Sequence, residues 1–254
     1  MTHPQWTITI RVHRQKGDHP PYTQAFAVQV DPEEYVLDGI ERIWAFQDHS
    51  LIFRHACHHS VCGACGMRVD GREKLTCITR IGDITHDGGT LLVEPMRSFP
   101  VVGDLVVDTG LLYERMEAVG ARQVLGLAQA PHANGLHPAS PLEPGERDIL
   151  RLVDCIECGL CISACPIAAT DPTYLGPAVL AAAQQEDLLA RPGRGRQHPS
   201  LLDLVEAANG VWRCHSAYEC TAVCPSNVDP AWRIMELRKK VVGQRFRNLF
   251  TSPA

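Results

Sequence analysis

The sequence lacks any apolar run close to the roughly 20 residues that a membrane-spanning helix needs. It has no G-x-G-x-x-G dinucleotide motif, and no Ser-His-Asp or paired-carboxylate arrangement stands out. Positive charge is not in excess: 24 Lys and Arg stand against 29 Asp and Glu, a net charge of −5, so no nucleic-acid partner is expected. The N-terminal MTHPQWTITIRV shows no basic segment followed by an apolar one. No secretory signal is expected, and the implied compartment is reducing. Aromatic residues are few, at 6%.

Cysteine is abundant instead. The chain has 254 residues, enough for one or two domains, and eleven cysteines. An odd count cannot be fully paired in disulfides. In a reducing compartment, so many thiols point to metal, redox chemistry or both. They fall in three groups, Cys57 to Cys77, Cys155 to Cys165 and Cys214 to Cys224. A Pro- and Gly-rich stretch, APHANGLHPASPLEPGE, separates the first group from the others. The expected division is a domain over 1–110, a connection over 111–145 and a second domain over 146–254.

The N-terminal part reads as α+β. Ile8, Ile10 and Val12 alternate with polar residues, as do Phe26, Val28 and Val30, which is strand period. Asp31-Pro32-Glu33-Glu34 is a helix-start signal, followed by Val36, Ile40, Ile43 and Trp44 at helical spacing. GMRVDG and GTLLVEP fit further strands. This is a β-grasp pattern around a cysteine loop. The C-terminal part reads as all-α. GERDILRLVD leads into the second cysteine group, and RPGRGRQHPS reads as a surface loop. Pro177 suits a first helical position, Asn209-Gly210 a helix stop, and Asp229-Pro230 an N-cap and N1 pair. Ile234, Leu237 and Val241 then share a face.

The spacing within the groups is specific. Cys57-x4-Cys62-x2-Cys65-x11-Cys77 fits the plant-type [2Fe–2S] signature. Zinc knuckles normally come in two short pairs, and only Cys62 and Cys65 form one. Gly63 and Gly66 allow tight backbone and N–H groups aimed at sulfur. Cys155-x2-Cys158-x2-Cys161-x3-Cys165-Pro166 is the bacterial ferredoxin run, in which the fourth cysteine ligates the other cluster. Cys214-x2-Ala217-x2-Cys220-x3-Cys224-Pro225 repeats it with one cysteine replaced by Ala217. Crossing then assigns Cys155, Cys158, Cys161 and Cys224 to a [4Fe–4S] cluster. It leaves Cys165, Cys214 and Cys220 for a [3Fe–4S] cluster, with a four-iron cluster carrying water or a labile ligand at Ala217 as the alternative.

With all eleven cysteines placed, the chain resembles the iron–sulfur subunits of succinate dehydrogenase and fumarate reductase. Stretches such as FRHACHHSVCGACGM, FPVVGDLVVD, CIECGLCISACP and YLGPAVLAAA carry the resemblance. It implies a plant-type 2Fe-2S ferredoxin-like β-grasp domain followed by a bacterial 2[4Fe-4S] ferredoxin-like domain. It implies a partner flavoprotein subunit carrying FAD, a membrane anchor subunit, and quinone as acceptor. It also implies a peripheral position on the cytoplasmic face of the membrane. Cys57, Cys62, Cys65 and Cys77 would lie nearest flavin, and Cys165, Cys214 and Cys220 nearest quinone. Pro166 and His215 match positions near the quinone, although the stretch after Cys165 lacks the Trp found in many members. The departure from two complete four-iron motifs argues against a heterodisulfide-reductase-like subunit, and a zinc-stabilised binding module is the remaining rival class.

Two features are left over. His55, His58 and His59 crowd the first loop, where four cysteines already satisfy two irons, so they read as solvated or interface histidines and not as Rieske-type ligands. The C-terminal WRIMELRKKVVGQRFR carries Arg233, Arg238, Lys239, Lys240, Arg245 and Arg247 against Glu236. It reads either as a basic helix facing lipid or an anchor subunit, or as a solvated helix that caps the second domain.

Overall fold

A computed structural model describes residues 5–120, 152, 154–189 and 201–251. The proline-rich connection, most of GERDILRLVD and the whole 191–200 stretch lie outside the described residues.

The N-terminal unit is a five-stranded mixed sheet in the order β2-β1-β5-β3-β4. Strands β1 (Trp6–Arg14) and β2 (Tyr22–Val30) form an antiparallel hairpin. Strand β5 (Thr90–Glu94) pairs parallel to β1 and antiparallel to β3 (Gly66–Val69), which pairs with β4 (Arg72–Leu75). The period-two positions Ile8, Ile10, Val12, Phe26, Val28 and Val30 are all buried. Helix α1 (Val36–Phe46) covers this face through Val36, Ile40 and Ile43. Burying one such side chain contributes about 1.5–3 kcal/mol. Gly39 permits the close crossing, since a Cβ there would come within 2.6 Å of Ile10 Cδ1.

Two local readings change. Asp31 does not start the helix. It closes a turn, accepting the Glu33 N–H on its side chain and the Glu34 N–H on its carbonyl. The helix begins at Val36, where Asp38 accepts the Tyr35 N–H at 2.9 Å and supplies the cap. Trp44 lies at the margin of the apolar stripe, 46% exposed and edge-on to His49.

Short strands β6 (Val101–Gly103) and β7 (Val106–Val107) lead into α2 (Gly110–Ala118). Leu112 and Met116 of α2 already belong to the C-terminal core. That core is helical. It comprises α3 (Leu160–Ser163), α4 (Pro166–Thr170), α5 (Pro177–Leu189), α6 (Leu201–Glu206), α7 (Glu219–Ala222) and α8 (Pro230–Thr251). Pro177 is the first residue of α5. Asp229 caps α8, its carboxylate accepting the Trp232 N–H. Ile234, Leu237 and Val241 of α8 are fully buried against α5.

The two units share a third apolar cluster in which Leu37, Leu75, Met96 and Val107 meet Leu160, with Ile156, Cys158 and Val223 packed against it. A polar clasp reinforces the junction. Buried Ser163 accepts the Arg97 N–H at 2.8 Å and donates to Glu73 Oε1 at 2.9 Å. Among the described residues, no helix is long and apolar enough to cross a membrane.

Candidate metal centres

The first cysteine loop runs from the end of α1 to β3 and returns through β4. Left-handed backbone at His58, Ser60 and Gly63 curls it tightly. The curl turns the N–H groups of His59, Val61 and Cys62 onto Cys57 Sγ at 3.5, 3.3 and 3.4 Å. These donors pull the Cys57 thiol down to about 6. Cys65 and Cys77 lie deeper, each 2% exposed, and burial pushes Cys77 up to about 12. The two are tied by the β3–β4 ladder, because Thr76 donates both its N–H and its hydroxyl to the Cys65 carbonyl.

The second and third groups build two neighbouring cavities. One is lined by Cys155, Cys158, Cys161 and Cys224, closed by Ala178, Ala181 and Val228. The other is lined by Cys165, Cys214 and Cys220, with Pro166, His215, Ala217 and Tyr174. The crossing has a simple cause. Cys161 lies within α3 and Cys165 two residues beyond its end, so one short helix presents thiols to both cavities. Cys220 on α7 and Cys224 beyond it do the same from the opposite side.

The repeat is conformational as well as chemical. Glu157 and Gly159 are left-handed, at φ 51° and 80°, two and four residues after Cys155. Ser216 and Tyr218 are left-handed, at φ 57° and 62°, at the same offsets from Cys214. Ala217 therefore holds the backbone place that Cys158 holds in the other repeat, and its methyl group faces the second cavity.

Burial pushes Cys158 and Cys220 up to about 12 and Cys161 well above the usual thiol value. Bare thiolates would be costly here, and bound iron offsets that cost by pairing with them. The spacing also does not match a single thiolate-bound zinc ion. Among the described residues, no three cysteine sulfurs lie within 4.8 Å of one another. A zinc ion with Zn–S bonds of about 2.3 Å would draw tetrahedral thiolates to about 3.8 Å. Tyr174 fits the same picture: it is 1% exposed, it lines the three-cysteine cavity, and its buried hydroxyl lies beside Cys214.

The basic stretch of α8 is largely engaged within the chain. Arg233 donates to the Val228 carbonyl and Lys240 pairs with Asp187. Lys239 pairs with Glu236, and Arg245 with Glu206. Arg238 grips the Val211 carbonyl with two N–H groups and donates to the carbonyl of Cys214. These contacts make α8 the brace of the third cysteine group. Tyr174 and Arg238 had no signal in the motif spacing, because both reach the site from distant segments.

Taken together, the mixed sheet with its cysteine loop and the helical unit with two cysteine cavities define a two-domain ferredoxin-type iron–sulfur protein. Family models agree: residues 9–114 match a 2Fe-2S iron-sulfur cluster binding domain and residues 151–228 a 4Fe-4S dicluster domain. The fumarate reductase iron-sulfur subunit of Mycobacterium tuberculosis is 36% identical, over 89% of this chain and 88% of that protein. The corresponding Haemophilus influenzae subunit is 32% identical over 90% of each chain. The succinate dehydrogenase iron-sulfur subunit of Coxiella burnetii is 29% identical, over 93% of this chain and 97% of that protein. A chain of the Mycobacterium smegmatis Sdh1 complex superposes with a TM-score of 0.75 at 26% identity, covering 96% of this chain and 98% of that one. The chain belongs to the family of succinate dehydrogenase and fumarate reductase iron–sulfur subunits. It is an electron-transfer subunit of a larger oxidoreductase complex, and the dicarboxylate chemistry resides on a partner chain.

Proposed function

We propose that the chain relays electrons in a succinate:quinone oxidoreductase, from a flavoprotein subunit carrying FAD to quinone held with a membrane anchor subunit on the cytoplasmic face. Cys57, Cys62, Cys65 and Cys77 would hold a [2Fe–2S] cluster. Cys155, Cys158, Cys161 and Cys224 would hold a [4Fe–4S] cluster, and Cys165, Cys214 and Cys220 a [3Fe–4S] cluster. When bound, these clusters supply one-electron carriers whose potentials the protein sets through hydrogen bonds, burial and charge. The observation that carries the reading is the common lining of each cavity: four cysteines in one, and three with Ala217 in the other.

The chain's own residues order the sites. Gly63 touches Cys158, joining the first loop to the middle cavity, and α3 joins the middle cavity to the last. Backbone N–H groups hold negative charge on Cys57, and apolar walls exclude water around Cys161 and Cys220. Pro166 and His215 border the last cavity, the end we assign to quinone. The domain division we propose is 1–110, 111–145 and 146–254.

Fumarate reduction is the second reading, favoured by the names of the 36% and 32% identical relatives. Redox-poised EPR on the co-purified complex tests both. Three distinct clusters reducible by succinate support the proposal. Absence of a three-iron signal would remove the third assignment, and clusters reduced by quinol but not by succinate would favour the reverse direction.

A further inference from the structure

Outside the eleven cysteines, one group of side chains is closed to the spacing of a single ion. Glu41 extends from the outer face of α1, while His55 and His58 lie on either side of Cys57. His55 Nδ1 and His58 Nε2 are 3.1 Å apart. Glu41 Oε1 lies 3.1 Å from the first and 3.3 Å from the second. The three donor atoms thus form a nearly equilateral triangle. Ligands held about 2.0–2.1 Å from a tetrahedral zinc ion are separated by about 3.3–3.4 Å. Among the described residues, this is the one set of three potential ligands whose donor atoms all lie within 4.8 Å.

The surroundings hold the triangle in place. The His55 ring stacks on Phe53 at 5.2 Å and meets the His58 ring edge-on at 5.2 Å. Left-handed backbone at His58, φ 58°, returns its ring toward α1. Glu41 Oε1 is shielded from solvent, and its polar neighbours are the two imidazole nitrogens. Three donor atoms turned toward one point crowd their lone pairs together, and a shared cation relieves that crowding. Two imidazoles and one carboxylate select a borderline divalent transition ion over calcium or magnesium, which favour all-oxygen sites.

We propose that Glu41, His55 and His58 form a tridentate site for a zinc-class divalent ion. The fourth coordination position is left to water. The site uses no thiolate and is independent of the clusters. It fastens the 55–58 segment to α1 and adds positive charge beside the loop that carries Cys57. Of the three histidines read from the sequence as solvated or interface groups, His55 and His58 therefore acquire a ligand role, although not toward iron.

The test uses the co-purified complex after equilibrium dialysis against micromolar zinc sulfate. Zinc and iron are counted by mass spectrometry in wild type, Glu41→Gln and His58→Ala. Wild type is expected to hold one zinc more per complex than either variant. X-ray absorption at the zinc edge should show nitrogen and oxygen neighbours and no sulfur. Equal zinc in wild type and Glu41→Gln overturns the proposal, as does zinc uptake matched by iron loss or a sulfur shell around zinc. If His58→Ala loses iron, the Glu41→Gln comparison at unchanged iron decides.

Discussion

Gly63 and Cys158 touch across the junction of the two units: a Cβ on Gly63 would lie 2.7 Å from Cys158 Cβ and 3.0 Å from its Cα. Gly63 is also left-handed, at φ 71°. Space and backbone conformation therefore both demand glycine. The contact sets two cysteine loops against each other with no side chain between them. Gly63→Ala should cost about 1–3 kcal/mol from strain and overpacking. A lowered denaturation midpoint together with slower reduction of the second cluster is expected. Unchanged values for both would show that the junction does not need this approach.

The matched left-handed residues around Cys158 and Ala217 imply that the third group can accept its missing ligand without rebuilding the loop. Ala217→Cys should raise the iron content by one per chain and replace a three-iron EPR signal with a four-iron one. Retention of the three-iron signal at full cysteine accessibility would count against equivalence of the two repeats.

Tyr174 offers the three-cysteine cavity a buried hydroxyl. Hydrogen bonds to cluster sulfur raise reduction potentials by stabilising the more negative state. Tyr174→Phe keeps the ring and removes the donor, so it should lower the midpoint potential of the cluster held there. Redox titration followed by EPR reads the shift, and the other two clusters serve as internal controls.

Away from the cysteines, Asp104 anchors the first unit. It is fully buried and accepts from Arg14 Nε at 3.2 Å and from the N–H groups of Gln15 and Ile52 at 2.9 Å each. Arg14 is itself 2% exposed and donates also to Asp48 and Ser50. Removing the carboxylate leaves much of a buried guanidinium uncompensated. Asp104→Ala should destabilise this unit by about 3–5 kcal/mol. The denaturation midpoint of the unit containing the first cysteine loop is expected to fall, while the ligand thiols themselves stay in place.

What the sequence by itself determined is what depends on neighbours along the chain. Period-two burial in β1 and β2, the Pro177 and Asp229-Pro230 helix starts and the cysteine spacings are local, because each is set by the geometry of a strand, a helical turn or a short loop. Even the exchange of Cys165 and Cys224 between sites is local in origin, since three residues after Cys161 carry the chain past one short helix. Local rules also misread detail: Asp31 has the chemistry of a helix cap, but its own turn uses it, and the cap falls to Asp38. The tertiary structure alone decided the rest. Arg238 could have faced lipid, and it instead grips Val211 and Cys214, 27 and 24 residues earlier in the chain. Tyr174 reaches the last cavity from the loop before α5, and Glu41 meets His55 and His58 only because α1 folds back over the first loop. No periodicity encodes such meetings. They arise when buried faces are matched across the whole molecule, and burial then makes each unpartnered polar group costly enough to fix its place.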